Sequence, residues 1–134
     1  MNHALLDTNV LLRYLTEDVP EKTDRSEHLI KQAIMGQIQL YVTDICIGEV
    51  VWTLKKFYKV SRQEIADKLF ALFNTPGLEF SDVDVLIDAT QRFRSKNVSY
   101  PDAHLAALAA AKEICVYSYD HDLGKFCDVQ RKEP

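Results

Sequence analysis

The chain has 134 residues, 47% of them hydrophobic, which suits one domain with its own core and excludes a disordered chain. Sixteen basic residues stand against 20 acidic ones, a formal charge of −4, so the chain lacks the bulk basicity of a nucleic-acid binder, although carboxylates gathered round a cation would leave its surface less acidic than that count. No apolar run nears the ~20 residues of a membrane span, "MNHALLDTN" lacks the regions of a secretory signal, and three scattered cysteines without a CxxC argue for a reducing cytoplasm over a disulfide framework or a zinc site.

In chain order, "HALLD" (3–7) reads as a short buried strand and "NVLLRYL" as a brief helix. "PEKTDRSEHLIKQAIMG" is a helix with Pro20 in its first turn and Gly36 at its end. "QLYVT" is a second strand. "DICIGEVVWTLKKFY" is a helix capped by Thr43, and Ser61 caps "RQEIADKLFALFN". After the turn "TPG" comes the strand "LEFS". Ser81 and Asp84 fit a capping box for "DVDVLIDATQRFRSKN". "PDAHLAALAAAKE" is helical, "ICVYS" a fourth strand and "VQRK" a weak fifth. There is no repeat, low-complexity segment or linker, so residues 1–134 form one domain. Strands alternating with helices imply a parallel sheet of four or five strands, covered by helices on both faces. Such sheets bind ligands beyond the carboxyl ends of their strands.

Acids gather at those positions. Asp7 ends the first strand and Asp120 follows the fourth. Each also fits a plain reading as a turn or cap residue. Asp122 either joins them or caps "LGKF". Glu49 lies in a helix that reads as apolar nearly all round and therefore buried, so its charge needs a partner, a proton or a metal. Asp102 opens an alanine-rich helix, where Ser99 and Asp102 fit another capping box. Oxygen ligands converging without His or Cys suit a hard cation, Mg²⁺ or Mn²⁺, completed by phosphate oxygens. That points to metal-assisted hydrolysis of a phosphodiester.

These residues resemble a PIN-domain ribonuclease of the VapC toxin type. The resemblance covers essentially the whole chain and rests on "LLDTNVLLRYL", "TDICIGEVVWTL", "SYPDAHLAALA" and "VYSYDHDL". It implies a three-layer α/β/α sandwich, with Asp7, Glu49, Asp102 and Asp120 as an acidic catalytic quartet. Asp7 and Asp102 would be the most direct ligands of Mg²⁺ or Mn²⁺, joined by Glu49 and Asp120. Asn9 would orient Asp7 or a water, Ser118 retains a hydroxyl where Thr is common, and Asp122 is auxiliary. Pro101 stands before Asp102 where a small residue is more usual, so the start of that helix bears on where Asp102 sits. The resemblance also implies an RNA substrate, often tRNA or rRNA, a homodimer and a cognate antitoxin protein, with no membrane partner.

Arg13 is the nearest basic residue to this site and a candidate phosphate contact. "KKFYK" (55–59), Arg62 and "RFRSK" (92–96) are the densest basic stretches and offer aromatic residues for base stacking. Their plain reading is stronger: cations complement helix C-termini, and aromatics, Trp52 among them, fill a core or an interface. His104 and His121 near the acids read as paired side chains. Two rival functions are a phosphorylation-switched receiver domain, which lacks an Asp ending its third strand here, and a catalytically inactive PIN-like RNA-binding module.

Overall fold

A computed structural model describes residues 2–134. The elements run β1 (Asn2–Leu5), α1 (Thr8–Thr16), α2 (Pro20–Ile34), β2 (Ile38–Val42), α3 (Asp44–Lys56) and α4 (Arg62–Phe73). They continue with β3 (Leu78–Phe80), α5 (Val83–Ser95), α6 (Tyr100–Lys112), β4 (Val116–Tyr117), a 3₁₀ turn (His121–Lys125) and β5 (Arg131–Lys132). No helix among the described residues is long and apolar enough to cross a membrane.

The fold is α/β, with every strand pairing parallel and helices packed around the strands. Among the described residues, β1, β2 and β3 form one sheet in that order, and β4 pairs with β5 in another. The single four- or five-stranded sheet expected from the sequence is thus divided. β4 has only two residues, and its ladder goes to the β5 side: Val116 N donates to Gln130 O, and Ser118 N to Lys132 O.

Register explains which residues the sheet buries. Ala4, Leu40 and Leu78 lie side by side, as do Leu5, Tyr41 and Glu79. Successive side chains point to opposite faces. Leu40, Val42 and Leu78 join the core, while Leu5, Tyr41 and Glu79 are exposed. "HALLD" is therefore not a buried strand: Leu5 is 75% exposed, and burial begins at Leu6. An apolar run does not report which face a helix layer covers.

The helices start where the sequence supplies oxygen acceptors. Asp7, Thr43, Ser61, Asp82 and Ser99 each accept a backbone N–H two or three residues on, each cap contributing about 1 kcal/mol. At α5 the cap is Asp82, which takes Val85 N, and not Ser81. Ser81 instead turns its hydroxyl to Asp44. α3 also departs from expectation. Ile47, Val50, Val51 and Leu54 form its buried stripe, but Ile45 and Trp52 are 76% and 64% exposed, and Glu49 is exposed with them. The helix is amphipathic in its packing although not in its composition.

Gly77 leads into β3 at φ +86°, a conformation that L side chains rarely adopt. A Cβ there would overlap the Ala33 carbonyl at the end of α2. Gly77→Ala is expected to cost more than about 2 kcal/mol, read as a lowered urea midpoint. Gly48, whose added Cβ would meet nothing within 4 Å, is the control that should tolerate alanine.

Candidate active site

Because β1, β2 and β3 run parallel, their carboxyl ends share one edge. Asp7 follows β1, Thr43 and Asp44 follow β2, and Ser81 follows β3. Ser81 Oγ donates to Asp44 Oδ1 at 2.7 Å, joining two of these ends. His104 Nε2 lies 3.5 Å from Asp44 Oδ2, which draws the first turns of α6 to the same edge. Nε2 of His104 is nevertheless buried without a hydrogen-bond partner among the described residues, so the expected pairing of this histidine is not made by a hydrogen bond, and Ser81 is the residue that bonds Asp44. His121 is paired, its Nδ1 lying 3.3 Å from an Arg131 guanidinium nitrogen.

Asp7 caps α1, with Oδ2 accepting from Asn9 N at 3.4 Å. Asn9 thus meets Asp7 through its backbone N–H, as a helix cap does. Asp7 and Glu49 both act on the buried Cys46 thiol. Burial pushes that thiol up, a bond from Thr8 opposes the shift, and the Glu49 and Asp7 carboxylates add to it. The charges of both acids therefore reach the thiol, but neither acid joins the carboxylate group around Asp102. Glu49 acts on the thiol from an exposed position, so the expected burial of this carboxylate does not hold: the helix face that carries it has no element over it.

Asp102, Asp120 and Asp122 form the tightest group, each offering a carboxylate oxygen within 4.8 Å of the others. Asp102 sits in the first turn of α6, where its N–H donates to Ser99 Oγ at 3.2 Å. Pro101 occupies the same turn, where the missing N–H is not needed. The proline therefore does not displace Asp102. Asp120 is held by its neighbours: its N–H donates to Ser118 Oγ at 2.9 Å, and its Oδ1 accepts from Asp122 N at 2.9 Å. Asp120 caps the 3₁₀ turn, and Asp122 joins the acids while also meeting Lys125 at 3.0 Å. Burial, then the Asp120 carboxylate, push Asp102 above the usual carboxylate range. Like charges held this close favour either a proton or a cation among them.

Two grooves bear on substrate binding. One, of about 410 Å³, is lined by Asn9, Arg13, Lys22, Arg25 and Ser26 and by none of the acids. Lys22 and Arg25 carry no motif in the sequence; their only signal there is a shared face at i, i+3 on α2. Arg13 lies here but donates to Asp18 Oδ1 at 3.0 Å. Asp18 also accepts from Thr16 and Tyr58. The second groove, about 400 Å³, runs between α3 and the start of α6 and ends at Asp122.

Several of the other basic side chains have structural work. Arg92 is clamped between Asp88 and Asp128. Arg62 Nη1 donates to the carbonyls of Phe93, Lys96 and Val98, and Nη2 to Asn97 Oδ1. It thereby holds the segment that leads into α6 and Asp102. Arg62→Ala should cost about 2–3 kcal/mol in urea unfolding, and Arg62→Lys should not restore it, because a point charge lacks the guanidinium fork.

The carboxylates supply only oxygen donors, in a number and spacing that fit a hard divalent cation. The family model for the PIN domain matches residues 4–131, nearly the whole chain. No curated protein matches it.

Proposed function

The chain belongs to the PIN-domain family, and on that premise we propose that it is a Mg²⁺- or Mn²⁺-dependent endoribonuclease. PIN domains are generally nucleases, so hydrolysis of nucleic-acid phosphodiester bonds is the activity from which the finer reading starts. The observation that carries it is the approach of Asp102, Asp120 and Asp122 oxygens to within 4.8 Å, with Lys125 as the one cation paired to them among the described residues. Family membership leaves the receiver-domain reading without support.

Asp102 and Asp120 would hold the metal, with Asp7 and Glu49 completing the site from the α1–α3 side. When bound, the cation supplies charge neutralisation and a more acidic water beside the scissile phosphate. Asn9 N–H keeps Asp7 aimed, and Ser118 Oγ does the same for the Asp120 turn. Lys22 and Arg25 offer phosphate contacts in the first groove, and Arg13 does so only by leaving Asp18.

The test is incubation with unstructured single-stranded RNA and Mn²⁺ or Mg²⁺, with and without EDTA. Cleavage that stops with EDTA supports the proposal, and cleavage that persists in EDTA overturns its metal dependence. RNA bound but uncut at any metal concentration makes the chain an inactive binding module.

A toxin role with a homodimer and a protein antitoxin is proposed on the resemblance of "LLDTNVLLRYL" and the acid order to VapC-type toxins. In that role tRNA or rRNA is the target, the site of action is the cytoplasm, and induced expression arrests bacterial growth. Growth unaffected by the active protein counts against it.

A further inference from the structure

On the outer side of α3, Ile45, Glu49, Trp52 and Lys56 follow one another at three- and four-residue spacing, all exposed. Residues so spaced share one helix face. Trp52 is the only tryptophan in the chain, and 64% of it faces water. A large amphipathic ring left so open is a typical contact element. Beside it run Lys55 and Lys56, neither of which ion-pairs with an acid among the described residues. The Arg62 charge, then burial, then the Lys56 charge lower the pKa of Lys55, and Lys55, Lys56 and Arg62 all line this end of the groove. Cations in the last turn of a helix also complement its macrodipole, which accounts for the lysines but not for the exposed tryptophan.

The groove of about 400 Å³ connects this patch to the acids: Trp52, Lys55 and Lys56 line one part, Tyr100, Pro101 and Asp122 another. Lys56 lies two helical turns beyond Glu49, roughly 10 Å along the axis. A metal-free groove of this kind has a negative end and a positive, aromatic end. The lysines suit the phosphates of a nucleic-acid strand, and a strand continuous with the scissile bond brings a phosphate and an unpaired base together.

We propose that Trp52 stacks a base of single-stranded RNA next to the scissile phosphate, while Lys55 and Lys56 hold the adjoining backbone. Trp52 is then a positioning residue that favours unpaired over duplex substrate, since a base inside a helix has no free face to offer. The inference rests on the nuclease reading above and deepens it.

The single tryptophan is its own probe. Short unstructured RNA and the matching duplex are titrated into the protein in EDTA at low salt, and Trp52 emission is followed. Quenching by the single strand and little by the duplex is expected. Trp52→Ala should weaken single-strand binding about ten-fold or more, followed by a label on the RNA, and Trp52→Phe should recover most of it. Lys55→Ala with Lys56→Ala should lower the slope of log K against log salt by about 1.4. Because all three side chains are partly or largely exposed, unchanged unfolding midpoints should accompany these losses. Binding that leaves the emission unchanged and is indifferent to Trp52→Ala overturns the proposal. So does emission that changes with protein concentration alone while the chain sediments as a dimer, which assigns the face to a second copy. Metal-dependent cleavage with unaltered KM in the variants overturns it while sparing the nuclease reading; no binding and no cleavage of any RNA overturn both.

Discussion

Asp102→Asn is expected to reduce metal-dependent RNA cleavage by at least about 100-fold, because it removes a charged ligand from the centre of the acidic group. Asp102 is the member whose carboxyl is pushed up by burial and by the charges of both Asp120 and Asp122. The substitution keeps shape and the Ser99 cap, since that bond uses the Asp102 backbone N–H. A structural failure is therefore separable from a chemical one. In wild type, Mn²⁺ at about a hundred times its Kd should stabilise the fold by about 2.7 kcal/mol. The variant should lose most of that gain.

Without metal the sign reverses. The folded-state pKa of Asp102 is raised, by burial first and by Asp120 next, above its value in the unfolded chain. Between those two values the folded protein holds a proton that the unfolded chain has released. Stability contributed at this position is thus present at low pH and is lost as pH rises from about 3.9, the unfolded value, through the raised one. Asn carries no charge to lose. Metal-free Asp102→Asn should therefore melt above metal-free wild type at pH 7, by a few degrees, and the gap should close below about pH 4. A variant that cleaves at the wild-type rate, or that keeps the full Mn²⁺ stabilisation, would remove Asp102 from the site.

Phe93→Ala should have the largest effect on stability. Phe93 is 1% exposed and meets the Tyr100 ring edge-on at 5.6 Å between centroids. The Arg62 guanidinium lies over its other side, 4.4 Å from the centroid. Removing a buried phenyl costs about 3–5 kcal/mol, a third or more of the stability of many domains. The loss of the cation–π contact adds about 0.5–1 kcal/mol. Tyr100 would also lose its neighbour at the head of α6; it is buried deeply enough that its phenol, bonded to Thr90 at 3.0 Å, is pushed up to about 12. Loosening there reaches Asp102 within one turn, so cleavage should fall with temperature earlier in the variant. Urea unfolding with an unchanged slope and a loss below about 1.5 kcal/mol would contradict this account. The same position illustrates the ambiguity of aromatic residues in sequence: Phe93 beside Arg92 and Arg94 looks like a stacking platform, and it is core.

Trp52 shows the converse. By composition α3 appears buried on every side, and a tryptophan in it belongs to a core. Burial depends on what lies opposite a face, which no local pattern carries. The elements that cover α3 come from α1, α4 and α6, and they cover only one side. Leu5 in β1, apolar yet exposed, follows the same rule. The division of the strands into two sheets also escapes the sequence, because it depends on how far a two-residue β4 can extend its ladder.

What the sequence determined by itself was local chemistry. It set the α/β alternation, the caps at Asp7, Thr43, Ser61 and Ser99, and the placement of acids after strands and at helix starts, because hydrogen-bonding side chains act on backbone within three residues. It also carried a family pattern along most of the chain. Only the tertiary structure decided which acids meet. It placed Asp122 with Asp102 and Asp120, tied Arg13 to Asp18, and left Trp52 with Lys55 and Lys56 open beside the carboxylates. Those outcomes depend on contacts between residues far apart in the chain, and both the repulsion among carboxylates and the exposure of a ring are properties of distances that only folding creates.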